Sequence, residues 1–433
     1  MVRGGYGIFY DAFPGQIVDS LAGNAPNVSF YVVGGGYYAP AETTGPGSLF
    51  ALASNSNAAF VQGFPQGITL QQLQTSDPFF APPGFTYTPN DIHVPYYQKW
   101  SLEVEKAFGA NTSLTVGYIG NHGNHETAQY NAVNAYDPAG YAGLPTAALD
   151  PRFNVVAGAY NNGISNYSAL TAQIVHRYSS GQFGFNYTYS HALDEISNGG
   201  FSQFSSTSFG ASNTSITNPQ LPYNLRANYA SADYDLRQNL NFNYVWELPL
   251  KKLTLGHGPD ALLKGWQVAG ATFWRTGLPF TATDGITSGG LSSTGYGATV
   301  FATATGTGPT SQTCSGVSRA TTTCLNTSAF ALSPTAFGNV GRNGLRGPDY
   351  WGNDFSLMKF IKIPKWEKAQ FAVGAQFYNL FNHANFDMPV GNVGSSSFGS
   401  IVKTVSGPTT PYGVGLGADA SPRLVQLKAQ FTF

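Results

Sequence analysis

Five groups of residues in this sequence have types and spacings that could support chemistry. His122, His125 and Glu126 come nearest to a metal site, because imidazole and carboxylate groups ligate zinc. Zinc proteases set two histidines at i and i+4 of a helix, with the catalytic glutamate between them. Here the histidines are three apart, the glutamate lies outside the pair and Gly123 interrupts them. The cluster therefore reads as a polar loop tip following a strand over Leu114–Gly120. His191 with Asp194 and Glu195, and the carboxylates Asp233 and Asp235, contain the ingredients of acid–base or glycosidase chemistry. For His191, Asp194 and Glu195 the expected role is hydrogen bonding at a strand end; for Asp233 and Asp235, carboxylates are too common, and their separation too little fixed by sequence, to support glycosidase chemistry. Arg342 and Arg346, in Gly341-Arg-Asn-Gly-Leu-Arg-Gly347, admit two readings. They bind an anionic ligand, or they pair with carboxylates across a wall; the flanking Gly and Pro residues, which shape entry into a strand, favour pairing. Cys314 and Cys324 lie in a Thr/Ser/Gly-rich stretch without a nearby His or third Cys, so a local disulfide closing a surface loop is expected rather than a metal site. The phosphate-binding glycine loop and the nucleophile elbow are both missing from the sequence. No covalent catalysis, cofactor or metal is expected, and the chain reads as a non-enzyme.

The elements that carry these residues show a strand signature. In Arg423–Phe433, Val425, Leu427, Ala429, Phe431 and Phe433 fall on one face, and Gln426, Lys428, Gln430 and Thr432 on the other. Successive side chains of a strand point to opposite faces, so this strand has one apolar and one polar side. An exposed Phe-Thr-Phe edge is a liability in water, whereas a membrane barrel pairs it and turns it to lipid. The pattern recurs at Phe183–Ser190, Asn239–Leu248, Leu102–Phe108 and Phe371–Phe377. It is weaker over Leu114–Gly120, Ser165–Tyr178, Lys264–Thr276 and Phe355–Ile363. With the first segment this makes about ten strands of the length a tilted membrane strand needs.

Connections alternate between short and long. Gly109–Asn111, Ser179–Gly181, 364–368 and the somewhat longer Pro249–Leu263 are the short ones. The long ones run 11–94, 121–164, 191–235, 277–350 and 382–420, rich in Gly, Pro, Ser, Thr and Asn, as in Gly34–Gly36, Thr303–Pro309 and Ser395–Ser397. Short periplasmic turns and long outer loops are the pattern of an antiparallel transmembrane β-barrel. The parity of the count puts both ends of the chain on the periplasmic side. Tyr96, Tyr97, Trp100, Trp246, Trp266, Trp274, Tyr350 and Trp351 lie near strand ends and are expected to form interfacial aromatic girdles.

Composition agrees. Of 433 residues only 10% are charged against 14% aromatic, and the net charge is -1. That balance offers no basic surface for nucleic acid and does not describe a disordered chain. No run approaches the ~20 apolar residues of a membrane helix. Met1–Tyr10 lacks the sequence of a secretion signal and looks like mid-strand. The expectation is a fragment of a longer exported product.

Several stretches resemble the barrel of TonB-dependent outer-membrane receptors of the Oar-like group. They are Arg3–Asp11, Pro95–Glu105, Gly338–Pro348, Tyr378–Phe386 and the terminal Phe431-Thr-Phe433. Such receptors have roughly 22 strands around a plug. The resemblance implies that residues 1–433 are the C-terminal portion of such a barrel, in the outer membrane of a Gram-negative-type bacterium, with the plug and N-terminal strands absent. It implies binding and uptake of an unidentified substrate. The implied partners are outer-membrane lipid, the barrel-assembly machinery reading Phe431 and Phe433, and the energy-coupling protein TonB, reached only through the plug. Rival readings are a passive porin-like channel, a structural surface protein, a secreted soluble β-sandwich and a gene remnant.

Overall fold

The computed structural model describes every residue except 13–14, 25–57, 77–81, 132, 198–219, 222–223, 293–298, 315, 317–322, 364–365, 367–368 and 405–422. Ten strands follow one another across a single sheet. They are β1 (Val2–Tyr10), β2 (Tyr96–Phe108), β3 (Thr112–Asn131), β4 (Val156–Tyr178), β5 (Gly181–Asp194), β6 (Gln238–Glu247), β7 (Trp266–Arg275), β8 (Tyr350–Lys362), β9 (Gln370–Tyr378) and β10 (Leu424–Thr432). Each pairs antiparallel with the next in sequence. Two short strands join off this path: Phe85–Tyr87 on β4 and Ala230–Ser231 on β5. β1 and β10 are the edges, so the sheet is not closed. No helix among the described residues is long and apolar enough to cross a membrane.

The register aligns the two faces. One row of directly opposed residues runs Val2, Val104, Val116, Ala172, Tyr187, Leu240, Trp274, Trp351. It begins near the short-turn end of β1 and ends near the long-loop end of β8. That drift is the shear of tilted barrel strands. Another row of the same face runs Val425, Phe377, Phe355, Gly270, Tyr244, Phe183, His176. The apolar face is the uncovered one: Leu102 is 54% exposed, Leu170 48%, Tyr189 50% and Leu427 82%. Beside Leu170 and Tyr189, the polar-face residues Ala169 and Ser190 are covered, 2% and 7% exposed. A water-soluble sheet would invert this, because each large apolar side chain left in water forfeits about 1.5–3 kcal/mol.

Local sequence explains the joints. Gly109, at φ 65°, makes the tight turn between β2 and β3. Further along, the Trp100 ring lies across Gly120 of the adjacent strand; a Cβ there would come within 2.1 Å of the ring.

The expected connection over 121–164 is shorter than its sequence suggests. β3 continues to Asn131 and β4 begins at Val156, so both project beyond the other strands, with register shifts near Gly123 and Glu126. The turn over 364–368 lies, apart from Trp366, outside the described residues, as does Gly34–Gly36. The described parts of the connections over 191–235, 277–350 and 382–420 fold against one another. Leu236, Leu278, Phe280, Ala302, Leu325, Phe330, Leu345, Met388 and Phe398 share one buried cluster at the outer end of the sheet. Small strands tie this cap together: Pro279–Phe280 and Gln312–Thr313 flank Leu345–Arg346, and Thr303–Ala304 pairs with Phe330–Ala331.

Candidate functional site

Across β4–β9 the polar face is a wall built mostly of amides and hydroxyls, with the Asp354 carboxylate among them. Gln173, Asn186 and Asn241 stand opposite one another across β4, β5 and β6. Beside them Gln182, Asn243, Asp354, Ser356, Gln376 and Tyr378 line a shallow cavity of about 280 Å³ that the small Ala269 and Ala271 leave open. Asp354 Oδ1 accepts the Asn379 N–H at 3.0 Å. The Tyr378 hydroxyl lies 3.4 Å from the side-chain oxygens of both Gln376 and Gln426. Amides donate and accept together, so such a wall suits a hydrated polar solute more than a single fixed charge.

Above the wall, a charged network holds the cap to the strand ends. The Arg342 side chain, 1% exposed, pairs with the Asp194 carboxylate at the end of β5 and donates to the Asp194 carbonyl at 2.8 Å. Asp233 stands 4.0 Å from the same guanidinium and accepts from the Asn343 amide at 2.7 Å. Asn343 occupies the left-handed region at φ 53°, which asparagine tolerates better than most residues. Asp235, fully buried, takes Arg346, Arg237 at 3.1 Å and the Ala192 N–H at 2.8 Å. Burial pushes the Asp233 carboxyl up to about 6, against the opposing pull of Arg342 and Asn343. Burial also raises Glu195, despite the N–H it accepts from Ile164. The buried carboxylates Asp194 and Asp235 are each answered by a guanidinium, the condition under which buried ions are tolerated.

The arginines of the Gly341–Gly347 motif therefore pair with carboxylates, the favoured of the two sequence readings. Asp233 and Asp235 turn to different guanidiniums, not to a shared substrate position. His191 meets the Ser231 hydroxyl at 3.3 Å. The His122–Glu126 cluster is placed differently from the expectation: it lies on β3, not at a loop tip. A register shift lets the strand continue, with His125 at φ 55°. The three side chains diverge to separate partners: His122 to Asn166 at 2.7 Å, His125 to the Asn161 carbonyl at 3.3 Å and Glu126 to the Ser165 hydroxyl at 2.5 Å. Among the described residues no group of three His, Cys, Asp or Glu side chains converges to hold a metal.

Two of the expected girdle residues face inward. Tyr97 has the parity of Lys99 and Ser101, and Tyr350 is buried on the polar face under the Arg275 guanidinium, 5.2 Å from its ring. Alternation decides their side, and nearness to a strand end cannot. Tyr96, Trp100, Trp274 and Trp351 lie on the apolar face toward the cap, Trp246 and Trp266 toward the short turns. Phe431 also lies on this face, its ring 5.8 Å from those of Trp366 and Phe433. Cys314 and Cys324 are joined by a disulfide with Cα atoms 5.3 Å apart, and Cys314 is packed into the cap core. The cap itself escaped sequence reading. Its one trace is the scatter of Phe280, Phe301, Phe330 and Phe398 through otherwise polar connections.

A family model described as an outer membrane beta barrel domain matches residues 1–426. No curated protein matches. Among solved structures, the outer membrane transporter YddB from Escherichia coli is 11% identical at a TM-score of 0.42, over 82% of this chain and 35% of that one. The FrpB iron transporter from Neisseria meningitidis is 9% identical at 0.36, over 84% and 34%. FpvA of P. aeruginosa, solved with a pyoverdine and iron, is 9% identical at 0.34, over 79% and 28%. The chain thus spans about a third of the length of these structures.

Proposed function

Since this chain belongs to the outer membrane beta barrel family and resides in the outer membrane, we propose that it forms the outer-end and wall portion of a substrate transporter or receptor. More narrowly, the reading is a TonB-dependent receptor of the Oar-like group. The observation that carries it is the folded cap latched over a polar wall by Arg342 and Arg346. A passive pore needs an unobstructed mouth, whereas a receptor needs structured outer loops that recognise a ligand before release inward. Substrate would meet the cap, pass the amide wall of β5–β9 and leave at the short-turn end. Energy would come from the TonB protein acting through a plug, and the role involves no covalent catalysis.

In hydrocarbon each unpaired backbone group on β1 and β10 costs several kcal/mol, so further strands would close the working barrel. Phe431 and Phe433 would present the last strand to the barrel-assembly machinery. Planar-bilayer recording of the intact gene product separates this reading from the porin-like rival. The receptor reading expects no steady conductance until the plug is removed. A stable open channel in the intact protein would sink it.

A further inference from the structure

In the connection between β6 and β7, at the short-turn end, apolar side chains crowd outward beside cations. The connection contains two short helices, Leu250–Leu253 and Asp260–Leu263. Leu253, Leu255 and Leu262 are 72%, 87% and 67% exposed. Leu255 is also held at φ 52°, a conformation that a bulky side chain seldom adopts, so the chain accepts backbone strain to leave it outside. Lys251, Lys252 and Lys264 surround the leucines. Lys251 and Lys264 share the Asp260 carboxylate at 2.8 and 2.5 Å, which leaves the segment with a net positive charge.

Two apolar-face residues determine which side this segment occupies. Trp266 of β7 donates its indole N–H to the Leu262 carbonyl at 2.7 Å. Lys359, directly opposite Trp266 on β8, donates to the same carbonyl at 3.3 Å and to the Lys264 carbonyl, with its ammonium 5.2 Å from the Trp266 ring. The ammonium of a lysine on the greasy face is thus solvated by carbonyls of the connection. The segment is consequently pinned against the outer, apolar surface of the sheet rather than across the lumen.

We propose that residues 249–265 form a phospholipid-binding foot in the periplasmic leaflet. Leu253, Leu255 and Leu262 enter the acyl boundary, and Lys252 and Lys264 meet headgroup phosphates. Continuity with the apolar band of Trp246, Trp266 and Val268, together with the sign of the charge, argues for lipid over a protein partner. The foot would fix the depth of the barrel and the tilt of β6 and β7.

The full chain, reconstituted in vesicles of phosphatidylcholine with phosphatidylglycerol, tests this with single spin labels at L253C, L255C and L262C. Leu427→Cys serves as the lipid reference and Ser356→Cys as the lumen reference. Oxygen and a water-soluble nickel complex compete for each label. The foot positions are expected to favour oxygen as L427C does. Water-like readings at all three with a lipid-like reading at L427C overturn the foot alone. A water-like reading at L427C as well overturns the membrane placement and the foot with it. As a second measurement, the K252Q/K264Q pair is expected to lower retained phosphatidylglycerol, counted by native mass spectrometry, by about tenfold. Unchanged retention overturns the headgroup contact.

Discussion

Arg342 and Asp194 lie 148 residues apart in sequence, yet the guanidinium meets both the carboxylate and the main-chain carbonyl of Asp194. One side chain thereby fastens the cap to the end of β5. Both partners are buried, so the pair contributes little as an isolated attraction and a great deal as a constraint.

Removing one partner leaves the other charge stranded. Arg342→Met is expected to cost about 3–5 kcal/mol of local stability. Hydrogen exchange should quicken over 338–347 and 191–197 while β9 and β10 stay protected. The double variant Arg342→Met with Asp194→Leu should recover most of the loss, because no unpaired charge remains. Equal loss in both variants would show that packing, not charge, holds the latch.

Asp233 makes the cap respond to pH. Its folded value is pushed up to about 6 from an ordinary 3.8, so ionising it opposes the fold. The penalty is present above about pH 6 and is relieved as pH falls toward 4, for a total near 3 kcal/mol. Asp387, raised to about 6 by burial, acts in the same direction. After correction for intrinsic rates, protection of 231–236 should rise between about pH 7.5 and about pH 5. Asp233→Asn should flatten its share of the dependence. A fall in protection over that window would contradict the assignment.

The Cys314–Cys324 bond ties together two cap residues ten positions apart. Loop-closure entropy for a separation of 10 residues gives about 3 kcal/mol. Replacing both cysteines with serine should make 299–349 a preferred site of limited proteolysis from outside the cell. The short-turn end should be unaffected.

Gly120 gives the Trp100 ring its place, and a Cβ would sit 2.1 Å from it. Gly120→Val should force the ring off the strand and slow or prevent assembly, read as loss of the compact, heat-modifiable form on cold electrophoresis. Trp100→Ala combined with Gly120→Val should restore assembly better than Gly120→Val alone, since the clash is then absent.

The placement of strands was largely legible because alternation is a local property. Val425, Leu427, Ala429 and Phe431 oppose Phe377, Ala375, Val373 and Phe371 with no register slip. Where alternation lapses, legibility lapses too. Val156–Gly163, with its run of Gly, Ala and Asn, carries no apolar parity, yet it extends β4 well past the other strand ends. Tyr350 stands near a strand end beside Trp351, and only the register shows that the two face opposite ways.

By itself, then, the sequence determined a two-faced ten-strand sheet with short turns at one end and long connections at the other, since period and turn chemistry act over a few residues. Tertiary structure alone decided that the long connections build a cap, that Arg342 and Arg346 reach Asp194 and Asp235, and that His122, His125 and Glu126 part company. Those outcomes depend on residues separated by tens to hundreds of positions. Their meeting is fixed by packing and by the need to set buried charges against opposite ones, and neither condition leaves a periodic trace along the chain.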